Sequence, residues 1–88
     1  MLHTFWFALN TSGGMSDSDA RALGVAHELD SRDDYLDAGR DLLNNEIGIS
    51  IGNNHQGYAA VVRAVEQAAL GGQLWCINSG SGSALGTC

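Results

Sequence analysis

A chain of 88 residues with 44% hydrophobic and 16% charged residues has the make-up of one small globular domain, which excludes a disordered polyelectrolyte. Ten acidic residues against four arginines, with no lysine, give a formal net charge of -6. Such a charge repels phosphate backbones, so nucleic acid is excluded as a partner while basic protein surfaces stay open. No apolar run approaches the ~18 residues of a membrane span, and the apolar start lacks the positive flank and small-residue cleavage site of a signal peptide.

The first predicted element is a helix over Leu2 to Leu9, apolar nearly all round and so expected to be buried. It starts abruptly, with no capping residue, as a fragment or a cleaved C-terminal domain would, and an intact small open reading frame stays open as the alternative. Thr11 to Gly14 breaks it, and Ser16 or Asp17 then caps a second helix that runs to about Leu29. Ser31, Asp33 and Asp34 repeat the start signal for a third helix, from about Arg32 to the Ile47 to Ile51 region. The alternation Ile47, Ile49, Ile51 also permits extended structure at its end.

After Gly52, Asn53 and Asn54, a fourth helix spans about Gly57 to Leu70, and Gly71-Gly72 ends it as a left-handed cap would. Gln73 to Ile77 is a short apolar run that suits a strand or a packed extension. Residues 78–88, rich in Gly and Ser, are expected as a flexible tail. The predicted fold is thus mostly α, a bundle of about four helices in one domain over residues 1–77, followed by that tail. Cys76 and Cys88 are able to close one loop in an oxidising compartment, but two thiols alone do not fix the compartment. Phe5, Trp6 and Trp75 leave room for a homodimer.

Three polar motifs lie inside this helical sequence. His3 and Trp6 are one turn apart on the first helix, and His27-Glu28 closes the second. On the third, Asp34, Asp37, Asp41, Asn44, Asn45 and Gly48 share a stripe at ~100° per residue, with Leu36, Leu43 and Ile47 grouped elsewhere. A solvated face accounts for Asp34 and Asp37, whereas Asp41, Asn44 and Asn45 are expected to be buried or to line a cleft. Gly48 costs about 1 kcal/mol against alanine in a helix, which implies close approach by a backbone or a ligand. The plain reading of His27-Glu28 is a capping histidine beside an exposed glutamate. His55 is expected to be solvent-exposed, and Arg21, Arg32, Arg40 and Arg63 to balance the acidic faces.

The motif order, His3 with Trp6, then His27 and Glu28, then Asp41, Leu42, Asn44, Asn45 and Gly48, resembles an uncharacterised bacterial domain family. Its members lie at the C-termini of wall-associated, Rhs-type and other polymorphic-toxin-like proteins. The resemblance covers about Leu2 to Gly52. It implies a secreted or delivered effector, and it fixes no reaction.

Chemically, His3 and His27 with Glu28 and Asp41 suit general-base activation of water, the carboxylates holding the imidazole tautomers. Trp6, Asn44, Asn45 and Gly48 would then bind the substrate, the amides holding a carbonyl or oxyanion. The motifs contain no Ser or Cys, which argues against a covalent acyl-enzyme. Glu28 opposite Asp41 would instead supply paired carboxylates for a glycan. His3, His27, Glu28 and Asp41 are also competent zinc ligands, but no HExxH or CxxC spacing is present, so the sequence assigns no metal and names no cofactor. The leading expectation is an effector-type hydrolase. The second is a non-enzymatic inhibitor whose Asp30, Asp33, Asp34 and Asp37 block a basic partner surface.

Overall fold

The computed structural model describes residues 2–31, 34–79 and 83–88. Four helices, α1 (Leu2–Ser12), α2 (Asp17–Ser31), α3 (Tyr35–Asn54) and α4 (Tyr58–Leu70), precede an antiparallel hairpin of β1 (Trp75–Ser79) and β2 (Ser83–Thr87). The mostly α bundle expected from the sequence is therefore present.

α1 is the central element because apolar side chains surround it. It packs along α3 and also meets α4 and α2. On one side Phe7 is buried with Ala20 of α2 and Ile49 of α3, with Met15 against them. On the other Ala8 is buried with Val61 and Val65 of α4, flanked by Phe5, Leu9 and Ile51. α3 comes this close because Gly48 and Gly52 present no side chain: a methyl group at Gly48 would collide with the Thr4 carbonyl oxygen, and one at Gly52 with the Thr11 hydroxyl. The seam is polar where the helices touch. Thr4 Oγ1 donates to the Asn44 carbonyl at 3.3 Å, and Thr11 Oγ1, which donates to Phe7 O at 2.8 Å, lies 3.4 Å from Ile49 O.

Ser16 and Asp34 cap as expected, but α3 begins at Tyr35 and not at about Arg32. Ser16 Oγ accepts from the Asp19 amide at 3.2 Å, and Asp34 Oδ1 accepts from the Asp37 amide at 2.9 Å. α3 continues as helix through Ile47, Ile49 and Ile51 to Asn54, without the extended end their spacing permits. Burial of Ile49 against Phe7 and Ala20 outweighs the weak strand preference of β-branched residues. His55 differs from expectation too, being half-buried: its Nδ1 is 2.8 Å from Ile51 O and its carbonyl accepts from Ser12 Oγ at 2.8 Å. At the end of α4 the left-handed residue is Gly72, with φ of 69°. The Gln73 amide donates back to Ala68 O at 2.9 Å, closing the helix.

Residues 83–87, within the segment expected to be a flexible tail, form β2, with Cys76 opposite Gly86 and Ile77 opposite Leu85. A disulfide joins Cys76 to Cys88, their Cα atoms 5.2 Å apart. This cross-link and the strand register hold a Gly/Ser-rich sequence that composition alone assigns to loop. Arg21 of α2 grips Glu46 of α3 through Nε and Nη2 at 2.9 to 3.0 Å, and hydrogen bonding to that carboxylate raises the arginine above its ordinary pKa. Arg40 pairs with Asp41 at 3.2 Å and Asp37 at 3.5 Å. Arg63 is exposed, and Arg32 lies outside the described residues. Among the described residues no helix is long and apolar enough to cross a membrane.

Candidate functional site

The first turn of α1 lies beside the last two turns of α2, and this brings His3 to His27 and Glu28. The two imidazole centroids are 5.2 Å apart with planes tilted by 58°. One ligand-competent atom from each of the three side chains lies within 4.8 Å of the other two. Their environments differ: His27 is exposed, His3 is half-buried, and Glu28 is only 8% exposed. The exposed glutamate of the capping reading is therefore replaced by a buried one. Successive residues on a helix point ~100° apart, so His27 is directed toward the surface while Glu28 is directed into the bundle.

Two clefts meet at His3. The first, about 410 Å³, is lined by His3, Trp6, Phe7, Leu23, Gly24 and His27, so its walls are largely apolar and both imidazoles open onto it. Trp6 and His3 share this cleft as their one-turn spacing predicts, and Trp6 keeps 44% exposure with its ring edge-to-face on Phe7. The second cleft, about 370 Å³, adds Arg40, Asp41, Asn44, Leu74, Trp75 and the disulfide to His3.

The third motif is buried as expected: Asp41, Asn44, Asn45 and Gly48 all lie on the inner face of α3. Its members nevertheless do different work. Asp41 stands apart from the His3, His27 and Glu28 cluster, lining the second cleft with its carboxylate on Arg40 Nε at 3.2 Å. Asn44 grips the backbone of Trp75, donating through Nδ2 to its carbonyl at 3.0 Å and accepting from its amide at 2.8 Å through Oδ1. The amide expected to hold a substrate carbonyl thus fastens the hairpin to α3. Gly48 admits the α1 backbone, lying against the Thr4 carbonyl. Asn45 is 3% exposed; a methyl group at Gly24 would lie 2.8 Å from its Nδ2, and its Oδ1 has no hydrogen-bond partner among the described residues.

Sequence reasoning missed Leu23 and Gly24, which shape the first cleft, and the Thr4 and Thr11 hydroxyls on the α1 seam. A usable signal existed for Thr4, a hydroxyl within an apolar helix, and for Gly24, which interrupts the helical run before His27. The acidic stripe is partly committed to structure, since Asp34 caps α3 and Asp37 pairs with Arg40. Asp30 is exposed, and Asp33 lies outside the described residues.

No protein-family model matches the chain, and no curated protein or solved structure matches it either.

Proposed function

We propose that the protein is an effector-type hydrolase whose His3, His27 and Glu28 activate a water molecule at the mouth of the apolar cleft. The observation that carries this reading is the convergence of two imidazoles and a buried carboxylate from two helices beside a concave surface. In the reaction an imidazole accepts the proton of the water as the water oxygen bonds to the acyl carbon; the bond from that carbon to the ester oxygen or amide nitrogen then breaks, the imidazolium returns the proton to the departing alcohol or amine, and Glu28 orients the imidazole that becomes charged. Trp6, Phe7 and Leu23 suit a substrate with an apolar group next to its scissile ester or amide. Asp41 and Arg40 offer a polar surface across His3 for the other side of the substrate. The secreted or delivered setting implied by the motif order belongs to the same reading. Since Asp34 and Asp37 are occupied within the fold, the acidic-inhibitor alternative has less surface to draw on.

The test is hydrolysis of p-nitrophenyl esters of increasing acyl length by purified wild type and His27→Ala. Wild type should favour the longer acyl chains, and the substitution should lower turnover by roughly 10²- to 10⁴-fold while circular dichroism stays unchanged, His27 being exposed. Equal rates for the two proteins would overturn the reading.

A further inference from the structure

The same three side chains support a property that the hydrolytic reading does not require. We infer that His3, His27 and Glu28 bind one divalent transition-metal ion, zinc before others. Two imidazoles and one carboxylate form a donor set that zinc takes in open sites, where three protein ligands leave a position for water. With bonds of ~2.1 Å and tetrahedral angles, such ligand atoms stand about 3.4 Å apart. The three candidate atoms already lie within 4.8 Å of one another, so closure takes little more than an ångström.

The side chains able to make that movement are the right ones. His27 is exposed and His3 half-buried, so both imidazoles can turn, while the buried Glu28 supplies a fixed point. Both imidazoles also line the apolar cleft of about 410 Å³. An ion held by the three therefore has protein on one side and the cleft on the other, with its remaining position open to water or to a ligand oxygen. Exposed acidic residues elsewhere bind divalent ions weakly and without stoichiometry, whereas imidazole nitrogen favours zinc over calcium and magnesium. With both imidazoles held as ligands, lowering the pKa of that water would fall to the ion's Lewis acidity in place of proton abstraction by a free imidazole.

The experiment is calorimetric titration of zinc into tag-free, chelator-stripped protein, compared among wild type, His3→Ala, His27→Ala and Glu28→Gln, with cobalt absorption as a second readout. Wild type should bind one zinc per chain. His27→Ala, which alters an exposed side chain and keeps the fold, should bind at least tenfold more weakly and lose the cobalt band of a tetrahedral nitrogen and oxygen site. Absence of saturable zinc binding, or equal binding by wild type and His27→Ala, would overturn the inference. Zinc binding without ester hydrolysis sustains it and removes the hydrolytic reading, whereas hydrolysis without zinc binding overturns it and leaves that reading in place.

Discussion

Asn44 illustrates how one side chain links the fold to the site. Both of its amide atoms meet the Trp75 backbone, so the hairpin that walls the second cleft is positioned by a residue of α3. Asn44→Ala removes two hydrogen bonds and leaves a backbone amide and carbonyl to be satisfied otherwise, a cost of about 2 kcal/mol. Denaturant unfolding should show this loss, and amide exchange should show weakened protection of Trp75 and its strand neighbours. His27→Ala should do neither, because that side chain is exposed. At this scale the sequence was informative about place. Polar residues in apolar helices marked where Asp41, Asn44 and Asn45 would be buried, whereas the plain reading of Glu28 as exposed is overturned by its burial. It could not separate the structural Asn44 from the cleft-lining Asp41, because the partner that decides it, the Trp75 backbone, is 31 residues away in the chain.

The seam between α1 and α3 rests on a second distinction, between glycines that look alike in sequence. Replacing a helical glycine with alanine gains about 1 kcal/mol of intrinsic helix preference. At Gly39 the new methyl group would meet only the flexible end of Leu85 at 3.3 Å, which can move aside. At Gly48 it would meet the Thr4 carbonyl and approach Phe7 Cβ at 3.0 Å, and a backbone cannot turn away as a side chain can. Overpacking of this kind costs about 1 to 3 kcal/mol. Thermal unfolding should thus move in opposite directions, with Gly39→Ala neutral to stabilising and Gly48→Ala destabilising. Helix identity and start signals were legible because Ser16, Asp34 and the Gly71-Gly72 pair act locally. The helical state of Ile47 to Ile51 and the strand at residues 83–87 were not, since each depends on tertiary packing, pairing or the disulfide.

Taken whole, the molecule is flattened, with principal extents of 41 × 29 × 14 Å. Its radius of gyration of 13.0 Å exceeds the ~12 Å usual for this length. Its core is thin: among the described residues, three of the eight buried hydrophobic residues are alanines, and Phe7 is the single aromatic of the eight. A disulfide closing a loop of this size contributes about 3 kcal/mol in the chain-entropy account, a large share of the 5 to 15 kcal/mol by which domains of this kind are typically stable. The exposed His27 lines the first cleft.

The central claim, that the His3, His27 and Glu28 cluster acts on a substrate, is tested most directly by expression in a bacterial host, in the cytoplasm and separately in the periplasm. Wild type, His27→Ala and the acidic-surface control Asp30→Ala are compared, each shown to be folded by circular dichroism. Wild type and Asp30→Ala should arrest growth from one compartment, and His27→Ala should not. Growth unaffected by wild type in both compartments, or arrested equally by His27→Ala, would contradict it.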